Sequence, residues 1–279
     1  MGKIEVKRIV TGDFAFAIKL TDTMDWGLTE EDFGLMMDLE PEGSFVAQDD
    51  GERVGIVTTI RFGHTGWIGN LILDQNHRSK GTGSQLLKHA MKYLKEKSVT
   101  TIGLYAYENI VSFYEKLGFK ASSRFIRLEG SGLVRNLGRN ATRRMKKEDL
   151  QQVIKLDMSC TGMPRGRLLR RIFADWSNLC YVACQNNKLV GFIMARGTEI
   201  GPLICLTEFQ NEATILLQDV LNYSAGRKVY LGISEEKQKI LDFLRNTNFR
   251  DDFSVVRMYH GYHQENRDCV LAMESLERG

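Results

Sequence analysis

The sequence predicts a two-domain α/β protein in which each domain is a mixed, largely antiparallel sheet flanked by helices. Three observations lead there. The chain has 279 residues, long for one compact domain when domains average roughly 150 residues. It repeats itself at a nearly constant offset, which implies one supersecondary plan used twice. In each copy, strand-like and helix-like segments alternate after an antiparallel hairpin.

Each copy reads as strand, helical region, hairpin, long strand, helix, strand, helix, strand. The register opens with Arg8 against Arg144, Asp13 against Asp149, and the helix-like Ile18-Lys19-Leu20 against Ile154-Lys155-Leu156, all 136 residues apart. The hairpin follows at the same offset, FVAQDDGERVGIV at 45–57 against YVACQNNKLVGFI at 181–193. Two apolar runs there flank Asp50-Gly51 in one copy and Asn186-Asn187 in the other, which is hairpin-turn chemistry. The long strand IGNLIL at 68–73 matches IGPLIC at 200–205, and FYEKLGF at 113–119 matches FLRNTNF at 243–249, with offsets falling as loops shorten. Leu86, Leu87, Ala90, Met91 and Leu94 recur at helical spacing and predict a helix over 81–97. Glycine and polar residues in GSGLVRNLGRN at 130–140 interrupt the periodicity and place the boundary there, giving domains 1–134 and 140–279.

Composition excludes several classes. A net charge of +3 from 38 basic and 35 acidic residues argues against nucleic acid as a partner. The cluster Arg143, Arg144, Lys146, Lys147 reads as a solvated face or interdomain edge. No apolar run approaches the ~20 residues of a membrane span and the N-terminus lacks an apolar signal core, so the expected location is cytoplasmic, without a membrane partner. Five cysteines, all in the second half and without a CxxC pair, read as reduced core thiols. His260 and His263 lack companions at zinc spacing, so no metal is expected.

The chemistry concentrates between the strand WIGNLILD and the helix at 81–97. Arg78-Ser79-Lys80-Gly81-Thr82-Gly83-Ser84 joins them, and a helix N-terminus with unpaired N–H groups binds phosphate well. Gly81 and Gly83 permit close approach of a diphosphate, and Arg78 and Lys80 add charge-assisted bonds. The loop by itself is equally consistent with a tight strand-to-helix turn carrying solvated basic residues. It is neither GxxxxGK[ST] nor GxGxxG.

Arg78, Gly81 and Gly83 fit [Q/R]-x-x-G-x-[G/A], and Phe113-Tyr114-Glu115-Lys116-Leu117-Gly118-Phe119 follows the strand TTIGLYA. With these two motifs in order the chain resembles the GNAT superfamily of acetyl-CoA-dependent N-acetyltransferases. Trp26, the Arg124 to Arg127 run before Glu129-Gly130, and the degenerate second copy make the resemblance closest to tandem forms with an acetyltransferase-18 type C-terminal domain. It implies direct acetyl transfer from acetyl-CoA to a primary amine of a small molecule or peptide, without a covalent enzyme intermediate. It implies further that the strand around Leu71, Ile72 and Leu73 holds the pantetheine and polarises the thioester, and that 78–84 holds the pyrophosphate. Main-chain N–H dipoles aimed at a developing oxyanion suit that chemistry. Tyr114 matches the family tyrosine that protonates the departing thiolate; on residue type alone it also reads as an amphipathic core tyrosine. Asn109 stands near the position of a cofactor-binding asparagine, two residues off the commoner spacing.

For the acceptor, Trp26 is either an aromatic wall or a core anchor. Asp25, Glu30, Glu31 and Asp32 are either amine-binding carboxylates or the charged first turn of a helix. Asp157, the arginines between 165 and 171, and Arg257 are candidates for an interdomain cleft or for helix-surface charge. In the second copy the loop becomes Glu208-Phe-Gln-Asn-Glu-Ala213, Tyr114 becomes Leu244 and Gly118 becomes Asn248, so that half is expected to be a scaffold or a lid over the acceptor site rather than a second active centre. The alternative is a non-catalytic acyl-CoA-binding or regulatory module. A monomer is expected, because a fused pair already supplies the contact that single-domain relatives obtain by dimerising.

Overall fold

The structure is a computed structural model that describes residues 4–131, 142–262 and 268–279. Of the segment 130–140 predicted as the boundary, 132–140 lies outside the described residues, as does His263.

The first half contains β1 (Ile4–Arg8), α1 (Phe14–Asp22), α2 (Glu30–Leu39), β2 (Ser44–Asp49), β3 (Glu52–Phe62), β4 (Thr65–Leu73), α3 (Thr82–Glu96), β5 (Thr101–Tyr107), α4 (Val111–Glu115) and β6 (Lys120–Ser131). The second contains β7 (Thr142–Arg144), α5 (Leu150–Thr161), α6 (Gly166–Trp176), β8 (Tyr181–Gln185), β9 (Lys188–Arg196), β10 (Glu199–Cys205), α7 (Gln210–Tyr223), β11 (Lys228–Ser234), α8 (Gln238–Arg245), β12 (Arg250–Gly261) and β13 (Val270–Ala272). The order repeats as the duplication predicts. Both hairpin turns have two consecutive residues at positive φ, Asp50 and Gly51 at 48° and 87°, Asn186 and Asn187 at 49° and 60°. That geometry suits the twist of the flanking strands, and Asn, Asp and Gly tolerate it best.

The thirteen strands of the described residues form one sheet in the order β1-β2-β3-β4-β5-β12-β6-β11-β13-β10-β9-β8-β7. Among the described residues only β4–β5 and β10–β11 run parallel. The two halves exchange their last long strands. β12 of the second half inserts between β5 and β6, pairing along Thr101–Tyr107, while β6 of the first half pairs with β11 from Ser131↔Lys228 to Phe125↔Ser234. A sequence repeat reports the order of elements along the chain but carries no information about which copy's strand fills a slot.

On one sheet face, α3 and α7 cover separate apolar clusters, one per half. On the other face a single cluster runs through α1, α2, α5 and α6 without a break between the halves. Arg167 on α6 reinforces the join by donating to the main-chain oxygens of Asp38 (2.7 Å) and Leu39 (3.2 Å), where the end of α2 presents unpaired carbonyls.

The cysteine expectation needs correction. Cys160 on α5 and Cys269 before β13 are joined by a disulfide, with Cα atoms 6.0 Å apart. The residues are 109 apart in sequence and meet because the chain returns after β12 to lay β13 against β10. Cys180, Cys184 and Cys205 are free; burial pushes the thiols of Cys180 and Cys205 up to about 12, leaving them as apolar core groups. Among the described residues no helix is long and apolar enough to cross a membrane, and no cluster of metal-binding side chains forms.

Candidate active site

β4 carries a bulge at Asn70, whose φ is 51° and whose side chain donates to Thr58 Oγ1 at 3.1 Å. A bulge bends its strand. β4 and β5 accordingly pair only at Thr65↔Thr101, Gly66↔Ile102 and Trp67↔Gly103, then separate. The wedge between them leaves the main chain from Ile68 onward without a partner on that side.

The helix that follows starts in the same place. Gly81 precedes α3 at φ 85°, a left-handed conformation suited to glycine, and no side chain caps the first turn. The N–H groups of that turn thus remain available, as an anion requires. Ser79 also has positive φ, 62°, and Arg78 folds back so that its Nε donates to the Leu73 main-chain oxygen at 3.1 Å. A β-carbon on Gly83 would make only ordinary contacts, 3.5 Å from Leu73 and 3.8 Å from Phe113, so packing within the protein does not demand glycine there.

A cavity of about 540 Å³ is lined by Ile68 to Leu71 of β4 and by Tyr105 and Tyr107 of β5, and reaches across both halves. Of the residues singled out in the sequence, Asp25, Trp26, Glu31, Asp32, Leu71 and Tyr114 line it. Trp26 Nε1 donates to the Tyr107 hydroxyl at 2.9 Å, fixing its indole as a wall. Tyr114 is 5% exposed, packs on Phe113 and Phe119, and has no hydrogen bond to its hydroxyl among the described residues. Burial pushes its phenol well above the ordinary tyrosine range, which keeps the proton on the oxygen.

The remaining expected residues, Asp32 apart, fall elsewhere. Ile72 is buried in the strand, and Ser79, Lys80 and Gly81 are exposed on the loop with Thr82 and Ser84 opening the helix. Asn109 is exposed on the turn after β5, and Glu30 sits in the exposed first turn of α2; neither lines the cavity. Asp32 closes a capping box with Thr29 and pairs with Arg196 from β9. Burial pushes its carboxyl up, but Arg196 and the N–H and hydroxyl of Thr29 outweigh that and hold it below the usual carboxylate range. Asp157, by contrast with Asp32, lies off the cavity. It is 1% exposed and binds Arg165 through both carboxylate oxygens, at 3.1 and 2.6 Å. Arg257 is likewise buried and donates to Ser123 Oγ at 2.8 Å.

Sequence reasoning offered Asp157, Arg257 and the arginines between 165 and 171 for a cleft with the second half, and missed the residues of that half that line the cavity. Trp176, Arg196, Glu199, Tyr230 and Phe253 line the cavity, as does Glu277. Arg127 stacks 3.7 Å above the Tyr230 ring and pairs with Glu199 at 3.1 Å and Asp252 at 2.5 Å. Burial, opposed by Arg127 and aided by nearby Glu277, pushes the Glu199 carboxyl up. No motif marks Glu199 or Glu277, because their placement depends on how the halves dock.

The second copy of the wedge is closed. β10 and β11 pair directly only at Glu199↔Tyr230, and β13 occupies the space beyond, pairing Ala272 with Leu203 on one side and Ile233 on the other. Pro202 stands where the repeat places Asn70, and proline offers no N–H. Four residues separate β10 from α7, 206–209, against eight between β4 and α3, 74–81. The glycine loop has no counterpart in that space.

Known proteins resemble the chain along nearly all of its length. Residues 15–119 match the acetyltransferase (GNAT) family and residues 153–270 a second acetyltransferase (GNAT) domain type. A holothin acyltransferase from Pseudoalteromonas sp. (strain SANK 73390) is 23% identical over 270 residues, 91% of this chain and 90% of that protein. The crystal structure of a putative acetyltransferase from Pyrococcus horikoshii superposes with a TM-score of 0.84 at 19% identity, over 99% of this chain and 96% of the other. A tandem GNAT protein from the clavulanic acid biosynthesis pathway superposes at 0.67 with 13% identity, over 95% and 100%.

Proposed function

The chain is an acyltransferase with two GNAT domains in tandem, and on that premise we propose that it moves an acetyl group from acetyl-CoA to a primary amine of a small molecule or peptide. Transfer is direct, within one ternary complex, at a single site in the first half. The observation that carries this reading is the contrast between the two wedges: β4–β5 opens beside a free helix N-terminus, while β10–β11 is filled by β13.

The first turn of α3, with Ser79 to Ser84 ahead of and within it, holds the pyrophosphate. Arg78 and Lys80 add charge, and Asn109 lies on the approach. Gly83 fits this role, since nothing in the protein's own packing requires it. The main chain of Leu71 to Leu73, without a strand partner on its β5 side, holds the pantetheine and points N–H dipoles at the thioester oxygen. Tyr114 donates its proton to the departing thiolate, for which a buried, unpartnered phenol is suited. Trp26 and Glu31 form the acceptor wall. The protein works as a monomer, because its halves already share strands and one apolar cluster.

Calorimetric titration of acetyl-CoA tests this. One molecule per chain is expected, lost in a Gly81→Glu/Gly83→Glu variant that keeps its circular dichroism spectrum. Two molecules per chain would overturn the single-site reading, and no binding to folded wild type would overturn the donor.

A further inference from the structure

We infer that Glu277 takes the proton of the acceptor's ammonium group, and that the acceptor is a primary amine on a flat apolar body. This rests on the acetyl-transfer reading and adds the acceptor class and the base.

After β13, residues 273–279 cross the sheet face from the second half to the first. Met273 lies against Gly201 and Gly232, Glu277 against Gly69, and Gly279 against Trp67. The segment is held rigidly. Arg278 is fully buried and grips Glu274 at 2.9 and 3.2 Å, and Arg165, itself fixed by Asp157, donates to the Gly279 main-chain oxygen at 2.6 Å. Glu277 therefore has a fixed place. A β-carbon built on Gly69 would stand 3.0 Å from Glu277 Cβ, one residue before the Asn70 bulge and two before Leu71. That is beside the main chain assigned to the thioester.

The charges of the cavity do not cancel. Its three basic residues are all engaged, Arg196 with Asp32, Arg127 with Glu199 and Asp252, and Lys228 with Glu129. Among the described residues Glu277 has only Arg278 as an ion-pair partner, at 3.7 Å and already held by Glu274. Asp25 and Glu31 at the mouth have no ion pair among the described residues. The surplus is negative and suits a cation. The walls are Trp26, Tyr107, Trp176, Tyr230 and Phe253, which suit a planar apolar body. Independently, Tyr114, 5% exposed and with no hydrogen bond to its hydroxyl among the described residues, lines the same cavity. The other charged or titratable groups facing Glu277 are Arg278, Glu199 and Tyr107.

The proton inventory balances. The ammonium gives one proton to the Glu277 carboxylate, and the freed nitrogen lone pair bonds to the thioester carbon. The C–S bond breaks, and its electron pair leaves on sulfur, which takes the Tyr114 proton. The nitrogen loses its second proton as the amide forms, returning the phenolate to phenol. Glu277 then releases its proton to water.

The test measures CoA release from acetyl-CoA with tryptamine and phenethylamine by wild type, Glu277→Gln and Glu277→Asp. Wild type is expected to turn over at least one of the amines. Glu277→Gln is expected to lose kcat by ~100-fold or more, with acetyl-CoA binding unchanged and a residual rate that climbs with pH as free amine replaces ammonium. Glu277→Asp is expected to retain part of the activity. A Glu277→Gln variant with wild-type kcat and pH profile overturns the base assignment. No release with either amine, by a wild type that binds acetyl-CoA, overturns the acceptor class. Failure to bind acetyl-CoA would instead overturn the donor reading.

Discussion

Gly69 and Gly201 hold the same place in the two copies, and one short segment lies against both. A β-carbon on Gly69 would come 2.7 Å from the main-chain oxygen of Glu277, and one on Gly201 would come 1.9 Å from that of Met273. Neither neighbour is a flexible side-chain end, so an added methyl must displace main chain. Gly201→Ala is expected to destabilise more than Gly69→Ala, with Gly69→Ala costing about 1–3 kcal/mol, as overpacking does. Urea denaturation of both variants checks the order, and equal midpoints would contradict it.

Tyr114→Phe separates packing from chemistry. The hydroxyl has no hydrogen bond among the described residues, so its removal leaves no buried partner unsatisfied and stability should be unchanged or slightly raised. If the phenol is the general acid, kcat falls by ~100-fold while the acetyl-CoA dissociation constant stays near wild type. An unchanged kcat would return Tyr114 to the core.

Asp32 ties α2 to Arg196 and gives the fold a pH dependence. Its carboxyl titrates below the usual range, so the stability it supplies is present above the unfolded value, ~4, and is lost as pH falls through the folded value. Asp32→Asn should lose stability at neutral pH and show a shallower decline below pH ~4. Thermal midpoints across an acid pH series read this directly.

The Cys160–Cys269 disulfide closes a loop of 109 residues and anchors the start of β13. Cys269→Ala is expected to lower stability by about 2–5 kcal/mol. Excess dithiothreitol should bring wild type toward the variant and leave the variant unmoved. A wild type indifferent to reductant would argue that the bond contributes nothing to the folded state.

Legibility in the sequence followed the range of the interactions. The turns at Asp50-Gly51 and Asn186-Asn187, the α3 helix and the glycine loop are local, and adjacent residues specify them. Tyr114 and Trp26 were readable as candidates because motif and repeat supplied the register. Asp157 was misleading because a carboxylate on a helix near a predicted cleft looks the same whether it faces substrate or, as here, a buried arginine. Glu199, Glu277, the disulfide and the filling of the second wedge depend on residues far apart in the chain, and no local pattern encodes them.

The exchange of β6 and β12 also sets an order of events during synthesis. A ribosome delivers β5 and β6 long before residues 250–261, yet β12 lies between them in the finished sheet. Until those residues emerge, the first half carries two unsatisfied strand edges beside the β4–β5 wedge. Such edges are templates for pairing with other chains. A truncated translation product ending in the segment 132–141 would thus lack a strand from the middle of its sheet, and nascent chains held at that point should need a chaperone more than finished ones do.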